Sequence, residues 1–150
     1  MRYHMKRFLP LLLLATSICF PTGSLANTEA QQDEAINFAD SEVKRICVAN
    51  WDNNGDGELS YAEAATVQDL GKVFSENTSI ASFDELQYFT GLTHIGEQAF
   101  YSCFALSSVL IPENVTTIGE YAFNGCASLS SITIPARVTS IGNVAFQECI

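Results

Sequence analysis

The sequence predicts an α+β protein in which a small helix–loop–helix module precedes a solenoid of 23-residue repeats. Apolar residues at helical spacing predict a helix in the N-terminal half, and an Asp/Asn/Gly-rich loop separates it from a second helix start. In the C-terminal half a short apolar pattern recurs with a fixed period, which is typical of a solenoid because one repeat cannot bury its own apolar face. The recurring positions are Gly96, Gly119 and Gly142, Phe100, Phe123 and Phe146, and Cys103, Cys126 and Cys149.

Residues 1–26 have the order of an export signal. A basic start is followed by an apolar run from residue 8 to residue 20, and small residues lead up to Ala26. The run is shorter than a helix needs to span a bilayer. We therefore expect cleavage after Ala26, a secreted or cell-surface protein, and no membrane span.

The charge is strongly acidic. Seventeen acidic residues stand against seven basic ones, and the formal net charge is −10. Three of the basic residues lie in the export signal, which leaves Lys44, Arg45, Lys72 and Arg137. Such a chain repels nucleic acid and anionic lipid through its net field, so we expect no nucleic-acid partner, and the composition favours cation binding.

Residues 27–39 are expected to form a flexible lead-in, with a short strand at 36–38. Asp40 or Ser41 is expected to cap a first helix that runs from near Glu42 to Trp51. Its buried stripe is predicted to be Val43, Ile46 and Cys47.

A second helix is expected to begin after Ser60. Glu63 follows three residues later, which is the spacing of a capping box. The helix is expected to continue as far as Gly71, with its apolar positions at Ala62, Ala65, Val67 and Leu70.

The loop between the two helices carries oxygen ligands at regular spacing. Side chains at positions 1, 3 and 5 can converge on one cation, a glycine at position 6 allows the sharp turn, and a glutamate at position 12 can bind with both oxygens. The loop resembles the calcium loops of EF-hands and dockerin modules, which normally occur in pairs. The ligands that the resemblance implies are Asp52, Asn54, Asp56, Glu58 through its carbonyl, Ser60 directly or through water, and Glu63.

We therefore expect residues 40–79 to form an EF-hand-like module that binds one Ca²⁺. Oxygen ligands alone disfavour zinc. With three carboxylates and one visible loop, the expected dissociation constant lies at roughly 10⁻⁴ to 10⁻³ M, as in extracellular modules.

Residues 80–150 are expected to form incomplete repeats. At the 23-residue step Phe83 falls on Leu106 and Ile95 falls on Ile118, which makes the segment at 79–93 a degenerate first repeat. We expect the natural chain to continue beyond Ile150, because an open solenoid end exposes strand edges and apolar residues.

The pattern Leu-x-x-Val-x-Ile before a proline predicts a short strand in each repeat. Alternate residues of a strand face opposite sides. The inward positions are expected to be Val109, Ile111, Ile132 and Ile134. The outward row, expected to bind a partner, consists of Glu85 and Gln87 in the first repeat, then Ser108, Leu110, Ser131 and Thr133.

The cysteines of the repeats are expected to be buried thiols, since a small thiol packs like an apolar residue. Cys103, Cys126 and Cys149 occupy one phase of the repeat, and disulfides within this ladder are the alternative.

The stretch Ile-Gly-Glu-Tyr-Ala-Phe-Asn-Gly-Cys at 118–126, followed by Leu-x-x-Ile-x-Ile-Pro, resembles the leucine-rich repeat of bacterial BspA-like surface proteins. The resemblance extends over about residues 83–150. It implies a secreted or surface-attached protein that mediates adhesion by binding extracellular or cell-surface proteins.

An enzyme is not expected. His94 is the one histidine after the export signal, and the sequence has no nucleophile elbow and no phosphate-binding glycine loop. Two binding functions remain open. Either the repeats bind a protein and the calcium site is structural, or a dockerin-like calcium module docks onto a partner and the repeats are a spacer.

Overall fold

The computed structural model of the protein describes residues 34–150, so the predicted export signal lies outside the described residues. The predicted α+β class is confirmed. Within residues 34–150, two helices, α1 (Ser41–Trp51) and α2 (Tyr61–Thr66), precede five short strands. The strands are β1 (Ser82–Phe83), β2 (His94–Ile95), β3 (Ser108–Val109), β4 (Thr117–Ile118) and β5 (Ser140–Ile141), and a 3₁₀ helix at Asp84–Tyr88 follows β1.

Helix α1 agrees with its prediction. Asp40 is the N-cap residue, and one oxygen of its carboxylate accepts the N–H groups of Glu42 and Val43. The buried side chains of the helix are Val43, Ile46 and Cys47, as the spacing predicted. The helix therefore presents one apolar stripe to the core and its charged residues to solvent.

Helix α2 begins as predicted and ends early. The capping box between Ser60 and Glu63 is present in both directions. The prediction that the helix continues to Gly71 is wrong, because Val67 has extended backbone angles and terminates it. The predicted apolar face is wrong as well, since Ala64 is buried while Ala65 is exposed. Val67 and Leu70 are buried, but they lie in the non-helical segment that follows α2 and not on a helical face.

The end of the expected lead-in is held against the loop. The amide of Ile36 donates to the carbonyl of Leu59 at 2.8 Å, and the amide of Tyr61 donates to the carbonyl of Glu34 at 3.1 Å. Ala35 and Ser60 form an isolated antiparallel bridge instead of the predicted strand. Ile36 and Leu59 are both buried, so residues 34–39 differ from the flexible segment that the polar sequence suggested.

Successive repeats are joined by parallel strand pairs. Strands β2, β4 and β5 form one sheet, in which Ile95 lies opposite Ile118 and Ile118 opposite Ile141. Both steps are 23 residues, as predicted. The strands of this sheet lie at the end of each repeat, where the second repeat has Val-Thr-Thr-Ile. No strand was predicted at this position.

The other strand pair corrects the alignment of the first repeat. Strand β1 pairs with β3, and Phe83 lies opposite Val109 rather than opposite Leu106. The first repeat is therefore longer than the others between its two strands, and the 3₁₀ helix at 84–88 accommodates the extra length. No strand is assigned at 131–134, and Ile134, predicted to face inward, is 37% exposed because no further repeat of the described chain covers it.

A stack of four phenylalanine rings runs through the core of the repeats. The ring centroids of Phe74 and Phe100 are 5.4 Å apart, those of Phe100 and Phe123 are 5.1 Å apart, and those of Phe123 and Phe146 are 5.3 Å apart. The stack begins at Phe74, which the sequence analysis did not include among the repeats. Near-parallel rings at this spacing bury large apolar surfaces in every repeat.

The cysteine phase accompanies this stack. The Cys103 thiol donates to the carbonyl of Phe74 at 3.0 Å, and the Cys126 thiol donates to the carbonyl of Phe100 at 3.2 Å. Each thiol therefore satisfies a carbonyl of the preceding repeat, which gives a physical reason for a small sulfur donor at this phase. Both residues are fully buried and are free thiols in this structure.

The N-terminal module, defined here as residues 34–66, packs on the first repeat. The second oxygen of the Asp40 carboxylate accepts the amide of Ala81 at 2.7 Å, and Glu85 accepts the amide of Ala39 at 2.9 Å. The indole of Trp51 meets the ring of Phe89 edge-on at 5.5 Å. The module therefore covers the end of the repeats that precedes β1.

No helix within residues 34–150 is long and apolar enough to cross a membrane.

Candidate binding groove and candidate metal loop

A groove of about 370 Å³ crosses three successive repeats. We call it the groove. Its floor is apolar, and polar side chains lie along its sides. The lining residues are Gln87, Thr90, Leu110, Ile111, Pro112, Glu113, Asn114, Thr133 and Pro135.

Three residues of the predicted partner row line this groove. They are Gln87, Leu110 and Thr133, one from each successive repeat. The side chain of Leu110 is 40% exposed between the buried Val109 and Ile111, as alternation along an extended segment predicts. The row therefore contributes to one continuous concave surface, although Gln87 lies in the 3₁₀ helix and Thr133 outside any assigned strand.

The other residues of the row have different environments. Ser131 is exposed and does not line the groove. Ser108 is half-buried, and its hydroxyl donates to the carboxylate of Asp84. That hydroxyl is engaged within the protein.

The prediction that Glu85 faces outward is wrong. Glu85 is 8% exposed, because the 3₁₀ helix turns its side chain beneath the N-terminal module. One carboxylate oxygen accepts the amide of Ala39, and the other has no partner among the described residues. Glu85 therefore belongs to the junction between the module and the repeats.

Sequence reasoning missed six lining residues of the groove. Pro112 and Pro135 recur at the 23-residue step, but they were interpreted only as strand terminators. Asn114 donates its side-chain amide to the carbonyl of Thr90, and this bond joins two repeats. The repeated prolines could have located the floor of the groove, because residues that recur at the 23-residue step occupy equivalent places in successive repeats.

The acidic loop, residues 52–63, is ordered by its own side chains. The carboxylate of Asp52 accepts the amides of Gly55 at 2.7 Å and Gly57 at 2.9 Å. Gly57 has φ +85°, which is the left-handed turn that position 6 requires. The loop thus folds around the Asp52 carboxylate.

The remaining predicted ligands contact one another or the backbone. Asn54 donates to the carboxylate of Asp56 at 2.9 Å. Glu63 accepts the amides of Asn53 at 2.9 Å and Ser60 at 2.9 Å, and also the Ser60 hydroxyl. Hydrogen bonds from the backbone of Ser60 and then its hydroxyl, together with those from the loop amides, hold the pKa of Glu63 below its usual value despite partial burial. A carboxylate is thereby kept charged at the end of the loop.

Lys44 is the basic group that meets this loop. Its ammonium lies 2.6 Å from the carboxylate of Glu58, whose side chain is thus turned toward α1. The carbonyl of Glu58, which is the predicted ligand, is not part of this ion pair. Within residues 34–150 no group of three or more His, Cys, Asp or Glu side chains is already arranged around one point, so calcium binding stays a prediction.

The donor set nevertheless fits a hard cation. Asp52, Asp56 and Glu63 bring three carboxylates into one short loop, and the side chains of Asn54 and Ser60 add neutral oxygens. Oxygen-only sets of this kind suit Ca²⁺. The hydrogen bond from the Ile36 amide to the Leu59 carbonyl also gives this single loop a backbone partner.

Comparison with known proteins bears on the repeats. A family model described as "BspA type Leucine rich repeat region (6 copies)" matches residues 66–150, and this match begins before the predicted first repeat. No curated protein and no solved structure matches the chain. The matched segment includes Phe74, which stacks on Phe100, as well as every strand. The chain belongs to the BspA-type leucine-rich repeat family.

Proposed function

We propose that this is a secreted or cell-surface leucine-rich-repeat protein that mediates adhesion by binding another extracellular protein through the groove. The observation that carries the proposal is the groove itself. Gln87, Leu110 and Thr133 come from three successive repeats and line it together. Leucine-rich-repeat domains mediate protein–protein interactions, and BspA-type proteins are typically surface-associated or secreted in bacteria. The family is generally non-enzymatic, and we propose no catalytic activity.

The surface properties of the groove suit a protein ligand. A concave floor that includes Ile111 and Pro112 removes apolar surface from water when it is covered, and the exposed side chain of Leu110 adds to that area. The stacked repeats form a solenoid in this proposal, and further repeats would extend the same surface. Three repeats offer limited area, so a weak complex is expected for this chain alone.

We propose in addition that the acidic loop binds one Ca²⁺ as a structural ion. The residues that would hold it are Asp52, Asn54, Asp56, the Glu58 carbonyl, Ser60 and Glu63. Bound there, the ion would neutralise carboxylates that repel one another. The left-handed Gly57 and the Asp52 contacts support this assignment.

The junction favours a structural role for the ion over a dockerin-like one. Trp51 immediately precedes the loop and packs on Phe89, and Tyr61 within the loop meets Tyr88 edge-on at 4.8 Å. These aromatic side chains of the module are occupied by the repeats. A module that docked onto a partner would need a comparable apolar face left open.

The proposal is tested by pull-down of extracellular-matrix and cell-surface extracts on the immobilised full chain. Leu110→Arg and Thr133→Arg place charge in the groove and should remove most of the captured partner. Ser140→Arg, on the exposed strand β5 outside the groove, is the matched control and should bind like the wild type. If the groove variants capture the same proteins in the same amounts, the interface lies elsewhere.

A further inference from the structure

We infer that the groove accepts an extended segment of the partner in which an apolar residue stands next to a lysine or arginine. This inference rests on the proposed protein-binding function and adds the chemistry of the partner. It is carried by the exposed carboxylate of Glu113, by the apolar floor of the groove and by the charge of the protein.

Each of the two amide side chains of the groove has one of its two N–H donors engaged within the protein. The Gln87 amide donates to the carbonyl of Asp84 at 3.0 Å, and the Asn114 amide donates to the carbonyl of Thr90 at 2.9 Å. Their carbonyl oxygens remain as acceptors. The Glu113 carboxylate is exposed and has no hydrogen bond or ion pair among the described residues. The Glu113 carboxylate is thus the charged, acceptor-only side chain of the groove, and a ligand that pairs with it must supply donors.

The floor fits the aliphatic part of such a ligand. Leu110, Ile111, Pro112 and Pro135 form the apolar lining beside Glu113. The long stem of a lysine or arginine can lie on apolar surface while its charged head reaches a carboxylate. A neighbouring apolar side chain would cover the exposed part of Leu110.

Charge complementarity selects a cationic segment over an anionic one. Glu113 is the charged residue among those that line the groove, and the whole chain carries a formal net charge of −10. Lys44, Arg45 and Lys72 are held in ion pairs with glutamates elsewhere on the surface. Arg137 follows Pro135 but does not line the groove. A segment rich in acidic residues would meet repulsion without a basic partner here.

The inference is tested by fluorescence anisotropy with three labelled short peptides of alternating residues: leucine–arginine, leucine–glutamate and leucine–serine. The full chain should bind the leucine–arginine peptide and not the other two. Glu113→Gln should weaken that binding about tenfold, because it removes one charge-assisted contact. Glu120→Gln is the matched control, since Glu120 is exposed, lies in the neighbouring part of the same repeat region and is outside the groove.

Equal weakening by Glu113→Gln and Glu120→Gln would show attraction to the net charge only and would overturn the inference. The inference would also be overturned if the leucine–serine peptide bound as tightly as the leucine–arginine peptide and if Leu110→Ser abolished that binding. The groove would then remain a protein-binding site. Absence of peptide binding by the wild-type chain would overturn it as well, and the pull-down would then decide the proposed function independently. Leu110 and Glu113 are both exposed, and circular dichroism checks that the variants fold.

Discussion

Gly91 lies directly against the backbone carbonyl of Ala65, where an added β carbon would be 2.5 Å from the carbonyl oxygen and 2.7 Å from that of Val67. The equivalent positions of the next two repeats, at the 23-residue step, are Asn114 and Arg137. Glycine therefore occupies this position in the first repeat, which the end of α2 approaches, and not in the next two repeats. This close approach, together with the Asp40 and Glu85 contacts, makes the module and the first repeat one packed unit.

The first prediction concerns this approach. Gly91→Asn introduces the residue of the next repeat and should lower the free energy of unfolding by about 1–3 kcal/mol, because the backbone atoms it meets cannot move aside cheaply. The measurement is urea unfolding followed by circular dichroism. Gly71→Asn is the matched control, since nothing lies within 4 Å of a β carbon there and asparagine tolerates its φ of +58°. Equal stability of the two variants would contradict the packing described here.

The second prediction concerns Asp40. Partial burial pushes the pKa of this carboxyl upward, but hydrogen bonds from Ala81, Val43, Glu42 and Ser82 outweigh burial and hold the pKa below its usual value. A lowered pKa stabilises the fold above the unfolded-state pKa of about 4, and the stabilisation is lost as the pH falls through the folded-state pKa.

Asp40→Asn keeps one acceptor oxygen for the helix cap and loses the second oxygen, which accepts from Ala81. It should cost about 1–2 kcal/mol at pH 7, because a backbone amide at the junction loses its acceptor. The cost should shrink as the pH falls below about 4 and through the lower pKa that the carboxyl has in the folded protein, because the wild-type carboxyl then becomes protonated. Thermal melts from pH 7 to pH 2.5 measure it, with Glu120→Gln as a surface control. A cost independent of pH would refute the charged hydrogen bonds as its cause.

The third prediction concerns calcium. Millimolar CaCl₂ should raise the melting temperature of the wild type relative to NaCl of the same ionic strength. The reason is that the ion is expected to bind the folded loop and not the unfolded chain. Glu63→Ala should abolish most of that rise, since Glu63 is the expected bidentate ligand. The comparison uses the calcium-dependent increment, because Glu63 also completes the capping box of α2.

Glu58→Gln is the matched control for the calcium prediction. Its side chain pairs with Lys44, and only its carbonyl is expected to reach the ion, so most of the rise should persist. If the wild type shows no calcium-dependent shift at millimolar concentration, the loop is a capped turn and the metal proposal fails.

The fourth prediction concerns the thiols. Burial raises the pKa of Cys103 and of Cys126 to about 12, and both side chains are fully buried. At pH 8 neither should react with an aromatic disulfide reagent in the native state, whereas the partly exposed Cys149 should. Peptide mapping after labelling identifies the sites. In denaturant all three should react, and failure of two of them to do so would favour the disulfide alternative.

Several features of the fold followed from the sequence. Periodicity gave the phase of the glycine, phenylalanine and cysteine columns, and helix-capping chemistry located Ser60 and narrowed the first cap to Asp40 or Ser41. These features are local or repeat strictly, so spacing alone can find them. The groove was partly predictable for the same reason, since Gln87, Leu110 and Thr133 follow alternation along the repeat.

The first repeat could not be aligned from spacing. Phe83 pairs with Val109 while Ile95 pairs with Ile118, so the two halves of this repeat follow different offsets. A single 23-residue step placed Glu85 on the surface, although contact with Ala39 buries it. Which residue meets the module depends on tertiary contacts between distant segments, and no local pattern encodes them.

We propose that the groove is the surface through which this protein binds its partner. The most direct test places a photo-crosslinking amino acid at Leu110 in the groove, and separately at Ser140 on β5, and irradiates the full chain with cell-surface proteins. Both positions are exposed, so both variants should fold. We expect a partner protein to crosslink from Leu110 and not from Ser140. Crosslinking from Ser140 alone, or equally from both positions, would contradict it.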